Sequence, residues 1–117
     1  MSKKILIIDD DPTILRMCES FLSAHGFIVT TAFDGEQGIE KFKAERPDLI
    51  VLDVQMPKMN GYTFVFELKK AGGSKTPIIV LTAKEGMAEI FKVEGVKEYM
   101  TKPLKPEVLL ANIQKHI

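Results

Sequence analysis

The sequence predicts an α/β fold: a doubly wound five-stranded parallel sheet with five helices. Three observations predict it. Short apolar runs rich in branched side chains, KILII at Lys4–Ile8, LIVL at 49–52 and IIVL at 78–81, read as strands buried on both faces. Stretches with apolar residues at helical spacing separate these runs. The links are short, which forces parallel strands, right-handed crossovers and a sheet covered on both sides.

The elements follow in order. Lys4–Ile8 is the first strand and runs out into Asp9, Asp10 and Asp11. Asp11 is a good N-cap, and Pro12 suits the first turn of the helix after it. That helix carries Ile14, Leu15, Cys18, Phe21 and Leu22 at helical spacing, and Gly26 is its stop. Residues 27–32 are rich in strand formers, and Asp34-Gly35 marks a turn. A second helix is expected over 36–45, with Ile39 and Phe42 on one face and Pro47 ending it. The third strand, 49–52, ends in Asp53, followed by the loop residues Pro57, Asn60 and Gly61. Phe64, Val65 and Leu68 form the face of a third helix, closed by Gly72-Gly73. Pro77 leads into the fourth strand, 78–81, which ends in Thr82-Ala83. A short fourth helix is expected between Gly86 and Gly95, with Met87, Ile90 and Phe91 inward. Val96–Thr101 is the fifth strand, ending in Lys102-Pro103, and Pro106 opens the fifth helix.

Composition narrows the function. The 117 residues suffice for one domain spanning 1–117, and 45% hydrophobic content is that of a globular protein. Sixteen Lys and Arg balance sixteen Asp and Glu, so there is no electrostatic footprint for direct nucleic-acid or anionic-membrane binding. One cysteine excludes an internal disulfide and points to a reducing, cytoplasmic setting. No apolar run approaches membrane-spanning length. Nothing linker-like follows Lys115, so a stand-alone protein is the expectation.

In a parallel sheet every strand's C-terminal end points the same way. This edge collects Asp9 and Asp10 from the first strand, Asp53 from the third, Thr82 from the fourth and Lys102 from the fifth. Carboxylates gathered there repel, and a hard divalent cation relieves the repulsion. Oxygen ligands select Mg²⁺ over zinc. Lys102 supplies a point positive charge for a phosphoryl oxygen or for Asp53, and Thr82 a hydroxyl donor. A nucleophilic carboxylate, a metal and two donors fit phosphoryl transfer to Asp53 as an aspartyl phosphate.

The motifs IIDDDP, LIVLDVQMPKMNG, PIIVLTA and YMTKPL, in that order, closely resemble the receiver domain of two-component response regulators. The resemblance covers the whole chain, which is similar in size to the single-domain chemotaxis type. Separated motifs in register make it specific, unlike a lone aspartate. It implies a flavodoxin-like (βα)5 fold with Asp53 as phosphoacceptor. It also implies Asp9 and Asp10 as the acid pair, Asp10 binding the metal directly, and Gln55 as a ligand through its backbone carbonyl. Thr82 and Lys102 match the switch hydroxyl and the phosphate-binding lysine, and Tyr99 the aromatic rotamer switch. The donor would be a phosphohistidine on a sensor histidine kinase or phosphotransfer protein, or a small phosphodonor such as acetyl phosphate. The receiver of the signal would be a downstream output protein or domain. Such a domain is no enzyme on external substrates; it catalyses only its own phosphorylation and dephosphorylation. Two departures stand out. The segment from Thr82 to Lys102 is short for the family by roughly half a helical turn, which bears on the fourth helix and the usual signalling face. Leu104 replaces a more usual aromatic, a packing change.

Other readings fit less well. A haloacid-dehalogenase-like phosphatase also uses an aspartate nucleophile after a strand, but needs an acid two residues on, where this chain has the amide Gln55. A flavodoxin-like FMN carrier needs a hydroxyl- and glycine-rich phosphate loop after the first strand, where three aspartates would repel phosphate. A pseudo-receiver usually lacks one of the key residues, and none is missing. Taken singly, Asp11 reads as an N-cap, Cys18 as a small core hydrophobe and Tyr99 as a half-buried strand aromatic. His25 and His116 read as dipole contacts or solvated side chains near helix ends.

Overall fold

The computed structural model describes residues 3–53, 61–73, 75–82, 96–101 and 103–117. Nine elements lie in these residues: β1 (Lys4–Ile8), α1 (Pro12–Ala24), β2 (Ile28–Ala32), α2 (Gly35–Glu45), β3 (Leu49–Asp53), α3 (Gly61–Lys70), β4 (Ile78–Thr82), β5 (Val96–Thr101) and α4 (Pro106–His116). Among the described residues there are therefore five strands and four helices. The helix expected between Gly86 and Gly95 falls outside them.

All strand pairs are parallel, in the order β2-β1-β3-β4-β5. The chain builds outward from β1 to β2, then returns past β1 to lay down β3. The order thus reverses between β1 and β3, and ligands of open α/β sheets bind at the carboxyl ends beside such a reversal. Strand alternation divides the core in two. Leu6, Ile8, Ile50, Leu52, Ile78 and Val80 face Phe42 of α2 and Phe64, Val65 and Leu68 of α3. Ile5, Ile7, Leu49, Val51, Ile79 and Leu81 face Cys18 and Leu22 of α1 and Leu109 and Ile113 of α4. The central strand β3 is buried along its whole length, which is why its sequence shows an unbroken apolar run. The edge strand β2 leaves Ile28 exposed.

Local chemistry sets the helix ends. The Asp11 carboxylate accepts from the Thr13 N–H at 2.9 Å and that of Asp34 from the Gln37 N–H at 2.7 Å, each satisfying an orphan donor in a first turn. Helix α1 ends at His25, and Gly26 follows at φ 91, where a side chain would be strained. The left-handed cap of α2 is not glycine but Arg46, at φ 47. Its guanidinium stacks on the Phe42 ring, 4.9 Å from the centroid, and donates to the Ala71 carbonyl at 3.1 Å. These contacts tie the end of α2 to the end of α3. Helix α2 lies close against β1 at Gly38, where a Cβ would lie 2.6 Å from Ile8 Cδ1.

Candidate phosphoacceptor site

Strand register brings the acids together. Ile8 of β1 pairs with Leu52 of β3, so the next residues, Asp9 and Asp53, emerge side by side. Asp53 in turn pairs with Leu81, one residue before Thr82 at the end of β4, and Thr82 pairs with Thr101 of β5. The Asp9 N–H still donates to the Ala32 carbonyl at 3.0 Å, so the chain leaves the sheet only after the first carboxylate is set. The Asp9 carboxylate then accepts from the Asp11 N–H at 2.9 Å. This turn, with the Asp11 cap behind it, places Asp10 at the surface.

Asp9, Asp10 and Asp53 each bring a carboxylate oxygen within 4.8 Å of the others. Asp9 and Asp53 are buried, at 0% and 1% exposure, and Asp10 is exposed. Two unit charges at that separation repel by roughly 3–4 kcal/mol at an effective dielectric near 20, before any cationic neighbour is counted. An all-oxygen, anionic donor set with one open side suits a hard cation that keeps several waters. The three residues therefore fit a divalent ion such as Mg²⁺, with Asp10 on the solvent side. Their field reaches into the core. The Cys18 thiol is pushed up to about 11, first by burial and then by the charge of Asp9. A thiol so held is protonated at neutral pH, and Cys18 packs as a core hydrophobe at 1% exposure.

Other predicted residues are placed in part. Thr82 ends β4 at the same sheet edge. Tyr99 lies on the outer strand β5, paired with Val80, and is 39% exposed, more open than a half-buried strand aromatic. Gln55 and Lys102 lie outside the described residues. Leu104 packs, partly buried, against the α1/α4 side of the core. His116 corrects a sequence reading. It is neither solvated nor a simple dipole contact: its Nε2 lies 3.0 Å from Glu98 Oε1, and Lys115 Nζ donates to the same oxygen at 3.0 Å. These contacts hold the Glu98 carboxyl below its ordinary value of 4.5, His116 contributing most. No local pattern announces this tie, because its partners sit on different elements. His25 instead sets its Nδ1 2.8 Å from the Phe21 carbonyl.

The model of the response regulator receiver domain matches residues 5–114. The chain belongs to that family. Among curated relatives of this receiver domain, a protein named probable transcriptional regulator ycf27 from Cyanophora paradoxa is 46% identical over 96% of the chain and 47% of its own length. The alkaline phosphatase synthesis transcriptional regulatory protein PhoP of Bacillus subtilis is 40% identical over 97% of the chain and 48% of its own. The chain thus spans about half the length of these relatives. Protein PilG of Pseudomonas aeruginosa is 36% identical over 97% of the chain and 87% of its own. The solved structure of the chemotaxis protein CheY4 of Vibrio cholerae superposes with a TM-score of 0.92 at 32% identity, covering both chains completely. Among the described residues of this receiver domain no helix is long and apolar enough to cross a membrane.

Proposed function

We propose that this receiver domain is a phosphoacceptor, with Asp53 as the residue that carries the phosphoryl group. The observation that supports this most is the placement of Asp53: buried at the end of the central strand, in register beside Asp9, with exposed Asp10 marking the open side. A carboxylate oxygen of Asp53 attacks the phosphorus of a phosphohistidine on a sensor histidine kinase or phosphotransfer protein. A P–O bond forms, the P–N bond breaks, and the electron pair leaves on the imidazole nitrogen. Acetyl phosphate serves as a small donor in the same way, with acetate leaving. Asp9, Asp10 and Asp53, with the Gln55 carbonyl, would hold Mg²⁺, which would supply positive charge to offset the carboxylates and the transferring oxygens. Asp9 and Asp10 orient the ion, Thr82 donates its hydroxyl to a phosphoryl oxygen, and Lys102 pairs with another.

The catalysis is confined to the domain's own phosphorylation and dephosphorylation; it has no external substrate to turn over. Phosphorylation draws Thr82 toward the phosphoryl group, and Tyr99, exposed on β5, turns inward and changes the surface offered to an output protein or domain. Balanced charge speaks against direct nucleic-acid binding by this domain, and the single buried cysteine suits a cytoplasmic setting. Incubation with acetyl phosphate and Mg²⁺ tests the assignment by intact mass. The expected result is a single phosphoryl gain in the native chain and none in Asp53→Asn, which keeps the shape but lacks the nucleophile. A variant that is labelled at the native rate, with its fold intact by circular dichroism, overturns it.

A further inference from the structure

We propose that the groove between α2 and α3 is a docking site for a basic amphipathic segment of a protein partner. The groove lies on the opposite side of the sheet from α1 and α4, and the inference does not depend on phosphorylation of Asp53. Glu36, Ile39 and Glu40 of α2 and Thr63 and Glu67 of α3 line it, enclosing about 290 Å³. That open groove has room for inserted side chains. On the crest of α3, adjacent to Glu67 in sequence, Phe66 is 61% exposed, the most open of the large hydrophobic side chains among the described residues.

The acids alone would read as a solvated helix face. The groove and the exposed ring that accompany them give the surface its second character. Its partner is specified by charge. Glu36 and Glu40 are one turn apart on α2 and repel. Among the described residues neither has a cation within ion-pair distance. The chain already shows how the surface treats a cation: Lys70 Nζ sits 3.9 Å from the Glu67 carboxylate and 5.4 Å from the Phe66 ring centroid. A lysine or arginine from a partner finds two neighbouring carboxylates at Glu36 and Glu40, with the half-buried Ile39 beside them for the apolar face of the same segment.

The test is titration of isotopically labelled protein, in Mg²⁺-containing buffer, with a short synthetic helix of lysine and leucine at helical spacing. The same peptide with glutamate for lysine is the control. Amide shifts should concentrate on Glu36, Ile39, Glu40, Thr63, Phe66 and Glu67, and the acidic peptide should produce none. E36Q/E40Q should weaken binding about three- to tenfold, and F66A at least about fivefold with less salt dependence. E107Q, on the first turn of α4, should leave affinity unchanged. Shifts centred on Asp10 or scattered over the surface, equal binding of the acidic peptide, or indifference to E36Q/E40Q would each overturn the proposal.

Discussion

Replacing Asp10 by asparagine should make the domain more stable without metal and less stable with it. Asp10 has its carboxylate oxygen within 4.8 Å of those of both Asp9 and Asp53. Because Asp10 is exposed, solvent screens it, and the water-like value of about 0.9 kcal/mol per pair applies rather than the interior value. Removing one charge abolishes two repulsive pairs, so the metal-free variant gains about 1–2 kcal/mol. Unfolding entropy of about 2.1 cal/mol/K per residue over 117 residues makes 1 kcal/mol worth about 4 °C. The variant should therefore melt about 4–8 °C higher in chelator. Mg²⁺ at a hundred times its dissociation constant should stabilise the native chain by about 2.7 kcal/mol, or about 11 °C, whereas the variant, lacking the proposed Asp10 ligand, should respond little. The two melting curves should exchange order between chelator and Mg²⁺. Thermal unfolding followed by circular dichroism measures both. A native melting temperature indifferent to Mg²⁺, or a variant less stable than the native chain in chelator, would refute the picture of mutually repelling metal ligands.

Two further predictions concern the scaffold. Gly38→Ala places a Cβ 2.6 Å from Ile8 Cδ1 and 3.1 Å from Phe64 Cε1, inside a packed core. Overpacking of about 1–3 kcal/mol should outweigh the gain of up to about 1 kcal/mol in helix propensity and lower the melting temperature, whereas an unchanged or raised value would show that Ile8 yields freely. Glu98 has its carboxyl lowered by His116 and Lys115, so its contribution is present above the ordinary value of 4.5 and is lost as pH falls through the lower folded value. Glu98→Gln should cost less than about 1 kcal/mol at neutral pH and flatten the fall of melting temperature below pH 4.5; an acid limb identical to the native one would count against the tie.

The strands and the acid cluster were legible for one reason. A strand buried on both faces must be apolar, so an aspartate at its end marks where the sheet meets the loops. The apolar runs therefore located Asp9 and Asp53 as well as the core. One helix start was legible where a side chain must cap a local N–H, at Asp11, whereas Asp34, the cap of α2, was legible only as part of a turn. Three features were not. Arg46 adopts the left-handed cap usually given to glycine and is held there by Phe42 and Ala71, the latter 25 residues away. Glu98 gathers His116 and Lys115 across a strand and a helix. The α2–α3 groove joins residues 23 to 31 positions apart, on two different helices. Each depends on tertiary neighbours that no local periodicity encodes. Residue types still located the acid cluster, because parallel register converts position along a strand into position along an edge.

The strand order also has a kinetic consequence. The strands that lead into Asp9 and Asp53 are neighbours in space but distant in sequence: the Lys4 N–H donates to the Asp48 carboxylate across 44 residues. Closing a loop of that size costs about 3 kcal/mol in chain entropy, and it must be met before the central pair can zip. Zipping β1 onto β3 then draws Asp9 and Asp53 together as the last rungs of the ladder form. The like charges push back as the sheet's centre closes, so they tax the folding barrier wherever that pair is formed in the transition state. Refolding in stopped flow should then be faster for Asp53→Asn than for the native chain in chelator. The acid pair at the end of the ladder thus bears on how the sheet assembles as well as on how it melts.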